Sequence, residues 1–406
     1  MSRRVAITGI GIVSALGVTR ESTWDGLVRG ACGIRPVTAI DTEGYRSRVA
    51  AEIDTDLLGP MLTPLERRRW SRGDQFGVVA AAEAMRDAGL EDARVDPRRI
   101  GVFLGAGTSD LIRNEQYQLT ATTRGIEHAR PSQAWNHFPS TAVDVIASRF
   151  GLEGQRSCVV AACASSTIAI GQAVDAIRAG RVEAAVAGGT DALARLTFSG
   201  FNALRLMDPG PCRPFDRSRA GMNIGEGAGI LVLENLERAM ARGANVYGEL
   251  AGYSFGCEAF HPTAPEPDGT PVRSVIVGAL ADACLDVTAV DHVNAHGTAT
   301  AQNDRAEARA VRCVFGDRAA SLPVSSLKSM IGHCLGAAGA LEAAVLALTV
   351  ARGVIPPTIH HTETDPECPI HVVANMARDQ AVRCGVSTSL GFGGNDAALV
   401  ITALSG

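Results

Sequence analysis

Short apolar runs rich in Val, Ile and Ala alternate along the chain with longer Ala-rich stretches that carry polar positions at helical spacing. The pattern predicts strands at Val5–Ile12, Ile100–Leu104, Cys158–Ala162, Val182–Ala187, Gly229–Glu234 and His292–Ala295, with closing strands at Gly385–Ser389 and Ala397–Thr402. It predicts helices at Phe76–Ala88, ended by Gly89, and near Ser165–Ala179, stopped by Gly180. Further helices are expected at Val272–Cys284, Asp304–Phe315 and Gly339–Ala351. Such alternation is the mark of an α/β architecture in which helices cover buried sheets. Pro/Gly-rich stretches near Asp208–Pro214 and His261–Pro271 read as loops. A single core stops growing at about 250–300 residues, so a chain of 406 is expected to divide into two packed halves. The division is placed at residues 1–255 and 256–406.

Composition narrows the function classes. The chain is 46% hydrophobic and 20% charged, which suits a core-forming protein rather than a disordered one. Its net charge of −5, without a long basic run, gives no reason to expect nucleic acid. Arg3-Arg4 and the apolar stretch to Val18 are interrupted by Gly9 and Gly11, so a buried first strand and turn fits better than an export signal. No membrane span is expected, and a cytoplasmic location follows. Ten scattered cysteines without a CxxC pair read as reduced thiols, mostly buried, and no metal site is expected. Gly9-Ile10-Gly11 and Gly105-Ala106-Gly107 fall short of a dinucleotide fingerprint and are read as turns.

Of 38 lysine and arginine positions, one is lysine, Lys328. A compact three-donor ammonium suits a tight buried site that a planar guanidinium cannot fill. Chance in an arginine-biased chain is the plain alternative. Cys163, in Ala161-Ala162-Cys163-Ala164-Ser165, lies where a strand turns into a helix. Helix N–H groups there favour a thiolate and can bind an oxyanion, although a core cysteine at a tight turn would look the same. His296 and His333 each stand beside glycine in a loop after a strand-like run. A lone histidine is more often structural; two, with such a cysteine, point to nucleophilic chemistry.

Together these residues make the chain resemble an elongating β-ketoacyl-acyl carrier protein synthase of the thiolase-like superfamily. The resemblance rests on Arg4–Gly11, the Cys163 turn, Val186–Asp191, Arg213–Asp216, Gly225–Gly229, His296–Thr298, Lys328–His333 and Gly391–Asn395, in order over nearly the full length. It implies a duplicated thiolase-like fold of five layers, α-β-α-β-α, with the nucleophile in the first half and the two histidines and the lysine in the second. It implies a decarboxylative Claisen condensation. Cys163 would be acylated from a carrier protein's phosphopantetheine, and His296 and His333 would stabilise the malonyl-derived enolate. The N–H groups of Cys163 and Phe392 would form the oxyanion hole. Lys328 would bond Glu342 and help keep His333 neutral. Thr298 and Thr300 would bind the pantetheine arm, Phe392 would gate the pockets, and Phe201 and Thr108 would meet the substrate. Arg68 and Arg69 would dock acyl carrier protein, although a solvated helix face explains them nearly as well. No cofactor beyond the carrier-borne phosphopantetheine is implied. The partner would be a second copy or a related chain-length-factor-like subunit.

Several positions depart from the housekeeping fatty-acid pattern: Ala301 where proline is usual, Leu327 for threonine, Asp396 after Asn395, and Thr108 for a bulky aliphatic residue. They suggest a polyene or polyketide substrate. Two neighbouring readings are a CoA-dependent thiolase or starter-unit synthase and a silent partner subunit. His333 after Lys328 speaks against the first, and the retained Cys163 against the second.

Overall fold

The first strand, β1 (Val5–Val13), is buried at every position, because helices cover both of its faces. A strand in that setting is apolar on both faces and does not alternate; its one polar side chain, Thr8, is buried and donates to Glu234 at 2.6 Å. Gly9 and Gly11 lie inside it and are not turns: a Cβ at Gly9 would stand 2.1 Å from the Ala84 carbonyl oxygen, and one at Gly11 1.9 Å from that of Ala80. Both carbonyls belong to α1 (Arg72–Ala88), so the glycines allow the helix to lie directly on the strand. Helix α1 starts at a Ser71 cap reciprocated by Asp74 and ends at left-handed Gly89.

The computed structural model describes residues 3–90, 95–108, 111–135 and 138–404. Among these residues eleven strands form the main sheet. After β1 they are β2 (Ile100–Gly105), β3 (Arg156–Val159), β4 (Ala184–Asp191), β5 (Gly227–Asn235), β6 (Gly248–Cys257), β7 (His292–Asn294), β8 (Pro323–Ser325), β9 (His371–Val372), β10 (Cys384–Gly391) and β11 (Asn395–Thr402). Their order across the sheet is β9-β8-β7-β10-β11-β6-β1-β5-β4-β2-β3. At the middle, β1 and β6 are joined by only two residue pairs, Ala6 with Glu249 and Ile7 with Gly248. The sheet is therefore two half-sheets sharing a narrow seam.

Two helices, α3 (Ser165–Arg178) and α6 (Ala338–Arg352), touch strands of both half-sheets and form the layer between them. Ile170, Val174 and Ile177 of α3 meet Leu341, Val345 and Leu348 of α6 in one apolar cluster, joined by Leu233 from one half and Leu399 from the other. Each such side chain contributes about 1.5–3 kcal/mol by leaving water, so this layer binds the halves together. Helices α1 and α2 (Thr141–Phe150) cover one outer face, and α4 (Thr270–Asp282) and α5 (Ala301–Phe315) the other. The result is the five-layered α-β-α-β-α arrangement.

Leu335–Arg352 is long and apolar enough to cross a membrane by composition, but 89% of it is buried in this central layer. The strand expected over Cys158–Ala162 ends at Val159, since Ala162 turns to φ 48°. The expectation that the thiols are mostly buried holds for five of them, while Cys32, Cys257, Cys284 and Cys313 are exposed; all ten are free.

Candidate active site

Cys163 lies one residue before Ala164, the N-cap of α3, on a turn held by the Ser165 hydroxyl, which donates to Ala162 O at 2.6 Å and accepts from Ala161 N–H at 2.8 Å. The left-handed backbone at Ala162 is strained for a residue with a Cβ. Ala299 (φ 67°) and Leu335 (φ 49°), next to the two histidine loops, share that conformation. Strain gathered around one site is the usual sign of a geometry selected for function.

The two histidines arrive from the other half. The Nε2 of His333 stands 2.9 Å from the Cys163 sulfur, and the ring of His296 meets that of His333 edge-on with centroids 5.1 Å apart. His333 is clamped through its main chain: its N–H donates to Asn223 O and its carbonyl accepts from Gly225 N–H. The ring contacts assign the tautomers. The N–H of Leu335 donates to Nδ1 of His333 at 3.3 Å, so Nε2 carries the proton. The Lys328 ammonium lies 3.3 Å from Nδ1 of His296 and donates there, so Nε2 carries the proton of that ring too. Lys328 and Glu342 are each 2% exposed and directly hydrogen-bonded.

Lys328 therefore serves His296 first. The expectation had it acting on His333; its contact is with His296, although its charge reaches both rings. Burial lowers both imidazoles well below the usual histidine value, and the Lys328 charge lowers them further. Both are neutral donors at physiological pH. Burial opposes the expected helix-stabilised thiolate: it pushes the Cys163 thiol up to about 12 against the lowering pull of Lys328 and the Phe392 N–H. Burial also raises the Glu342 carboxyl to about 7 despite its lysine. One nitrogen or sulfur from each of Cys163, His296 and His333 lies within 4.8 Å of the others, a spacing that could suit a metal. With protons on both Nε2 atoms, the lone pairs that would hold an ion there are already occupied.

A cavity opens from Cys163 to the surface, lined by His296, His333, Thr298, Thr300, Phe201 and Phe392 among others. The hydroxyls of Thr298 and Thr300 are 2.9 Å apart, and the Phe201 and Phe392 rings pack at 5.5 Å. The Phe392 N–H lies close enough to the Cys163 sulfur to pull its thiol down, which leaves that donor beside the atom whose acyl oxygen would develop charge. Thr108 is not among the lining residues: its hydroxyl and N–H both donate to buried Asp191, at 2.9 and 3.1 Å. Arg68 and Arg69 are exposed on the helix Pro64–Arg69, away from the cavity, in a groove they share with Arg113 and Arg130.

Sequence reasoning missed Glu307 and Asp304. They stand three residues apart on one face of α5 and fasten the His296 loop. Glu307 accepts from the N–H of His296 at 2.7 Å, the N–H of Gly297 at 2.8 Å and the Thr388 hydroxyl at 2.6 Å. Asp304 accepts from Ala299 and Phe215 N–H groups. Two carboxyls at helical spacing just after His296-Gly297-Thr298 were the available signal. Glu307→Ala strands these donors, each at a cost of about 1–3 kcal/mol, so the midpoint in denaturant unfolding should fall well below that of Glu307→Gln.

Comparison with known proteins agrees with this geometry. Residues 2–239 match the family described as "Beta-ketoacyl synthase, N-terminal domain", and residues 247–362 the corresponding C-terminal domain. The chain is 38% identical over 405 residues to 3-oxoacyl-[acyl-carrier-protein] synthase 2 of Staphylococcus aureus, covering 98% of each. It is 40% identical over 412 residues to the tetracenomycin polyketide synthase ketoacyl synthase alpha subunit of Streptomyces glaucescens, covering 98% of this chain and 97% of that one. A solved structure titled "The ishigamide ketosynthase/chain length factor" superposes with a TM-score of 0.95 at 37% identity over all of both chains. The chain belongs to the β-ketoacyl synthase family, whose members are acyltransferases.

Proposed function

We propose that the protein extends an acyl chain by decarboxylative Claisen condensation with malonyl-carrier protein. The observation that carries this is the pairing of the Cys163 sulfur with a neutral His333 whose Nε2–H is fixed by the Leu335 N–H. Cys163 attacks the acyl thioester of a carrier protein, its S–H proton leaves with the pantetheine thiol, and the acyl group stays on sulfur. The N–H groups of Cys163 and Phe392 hold the oxyanion of that step. Malonyl thioester then enters, its C–C bond to the carboxylate breaks, and CO2 departs. The electron pair moves onto the thioester oxygen, against the Nε2–H donors of His296 and His333. The enolate carbon attacks the acyl-cysteine, the C–S bond breaks, and the β-ketoacyl chain leaves on the carrier, while the Cys163 sulfur leaves the bond as a thiolate and takes up one proton from solvent to restore the thiol.

Thr298 and Thr300 are the groups for the pantetheine arm, and Arg68 and Arg69 those for the acidic carrier. We place the protein in the cytoplasm, as a dimer with a second copy or a chain-length-factor-like subunit. The edge strand β3, half-buried and followed by Val160 at 60% exposure, supports a partner on that side. The departures at Asp396 and Leu327 support a polyene or polyketide pathway.

Intact-mass measurement after incubation with an acyl-carrier protein tests the reading. A thioester adduct is expected on the wild type and none on Cys163→Ala, with CO2 and β-ketoacyl product released when malonyl-carrier protein is added. Acylation without CO2, over a range of acyl donors, would remove the decarboxylating step.

A further inference from the structure

Two carboxyl groups, Asp396 and Glu258, line the cavity that holds Cys163, and the chemistry above does not use either. Asp396, at the start of β11, is 1% exposed, and Glu258 lies just beyond the end of β6. Both line the same cavity as Cys163. Among the described residues neither oxygen of Asp396 finds a hydrogen-bond donor, and the Glu258 carboxyl, on the same cavity wall, raises its pKa further. Glu258 already uses Oε2 to accept from the Glu266 N–H. Two acceptors in contact lack one thing, a proton between them.

The pair sits on the junction that carries Phe392. The Glu258 N–H donates to Gly394 O at 2.8 Å, and the Gly393 N–H donates to Pro262 O at 2.8 Å. At Gly394 (φ 77°) a Cβ would lie 2.9 Å from that of Glu258, so the two segments touch through bare backbone. These contacts pin the glycine loop Gly391–Asn395, and Phe392 with it, against the segment 258–266.

We propose that Glu258 and Asp396 share a proton that clamps the Phe392 loop onto the segment 258–266, and that losing this proton releases the loop and opens the cavity. The charges facing the pair are Glu266 on the same segment and Glu307 on α5, both carboxyls that oppose a second negative charge. The imidazoles of His261 and His296 line the same cavity, and His296 is held neutral. Burial first, then Glu258, raises the Asp396 carboxyl to about 8. A carboxyl raised in this way keeps its proton below that value and gives it up as pH rises through it. The clamp is closed at neutral pH and released in mild alkali. Glu258 and Asp396 are positioning residues acting through Phe392; that role rests on the condensing reading, whereas the clamp itself does not.

Hydrogen exchange at the Glu258 and Gly393 amides reads the clamp without any substrate. After correction for intrinsic exchange, opening in the wild type should rise on the order of tenfold between about pH 7 and 9, the change in the unprotonated fraction across such a titration. Amides within α6 should not change. Asp396→Asn keeps a permanent N–H donor toward Glu258 and should exchange at a rate flat with pH. Glu258→Gln mirrors it and serves where the first variant does not fold. A flat wild-type profile, or the same rise in either folded amide variant, overturns the proposal. Loss of carrier-dependent turnover with the pH response intact would instead count against the condensing reading.

Discussion

Lys328→Arg is expected to lower malonyl decarboxylation at least about a hundredfold, some 2.7 kcal/mol of transition-state stabilisation, while the protein still folds. The ammonium is 2% exposed and wedged between Nδ1 of His296 and the Glu342 carboxyl. A guanidinium is wider, and its donors are fixed in a fork, so it cannot meet both partners from that space. The His296 ring would lose the contact that keeps its proton on Nε2, and with it a donor aimed at the enolate oxygen. Acylation of Cys163 depends on His296 much less, and should fall by less than about tenfold. The check is a pair of assays on one preparation: CO2 release from malonyl-carrier protein and adduct mass from acyl-carrier protein. Equal losses in both would mean that the substitution had simply damaged the fold.

His296→Ala and His333→Ala should each cost on the order of 10²–10³ in decarboxylation, the usual loss for one donor to a developing oxyanion. They should differ in acylation. His333 touches the sulfur at 2.9 Å and His296 does not, so only His333→Ala should also slow adduct formation. The wild-type pH profile follows from the same geometry. A histidine whose folded value is lowered is neutral above that value and gains charge only as pH falls through it. With both rings lowered by burial and by Lys328, decarboxylation should lose nothing to histidine protonation as pH falls from 8 to 6, and should decline only in stronger acid. A decline centred near the ordinary histidine value would place an unburied imidazole in the step.

Local patterning reached the elements and the nucleophile, because strand-to-helix turns and buried strands leave marks a few residues wide. Cys163 at the foot of α3 could be read in this way. Its meeting with His333, 170 positions away, could be expected only through the family resemblance. What local patterning misassigned was set by contacts at long range. Gly9 and Gly11 resemble turn residues until α1 is seen lying on β1. The thiolate expected from the helix N-terminus is opposed by burial, a property of the whole packed layer. Lys328 stood out by composition alone; its charge lowers His333 and it bonds Glu342 as expected, but its further contact with His296, 32 positions away, was not foreseen. Glu307 was overlooked for the same reason: an acid on an amphipathic helix looks solvated until the loop it holds is folded over it. Asp396 was noted only as a departure, since the Glu258 carboxyl that shares its cavity comes from a segment 138 positions away.

The central claim is that a buried ammonium and one backbone N–H hold two neutral imidazoles with their protons on Nε2 around Cys163. Nitrogen-15 resonance of protein labelled at histidine tests it most directly, with His296→Ala and His333→Ala used to assign the signals. At pH 7 both rings should show a protonated Nε2 and an unprotonated, hydrogen-bonded Nδ1, unchanged from pH 8 down to 6. In Lys328→Ala, the His296 pattern should mix while His333 keeps its own. An imidazolium at either position at pH 7, or an Nδ1–H form of either ring in the wild type, would contradict the account.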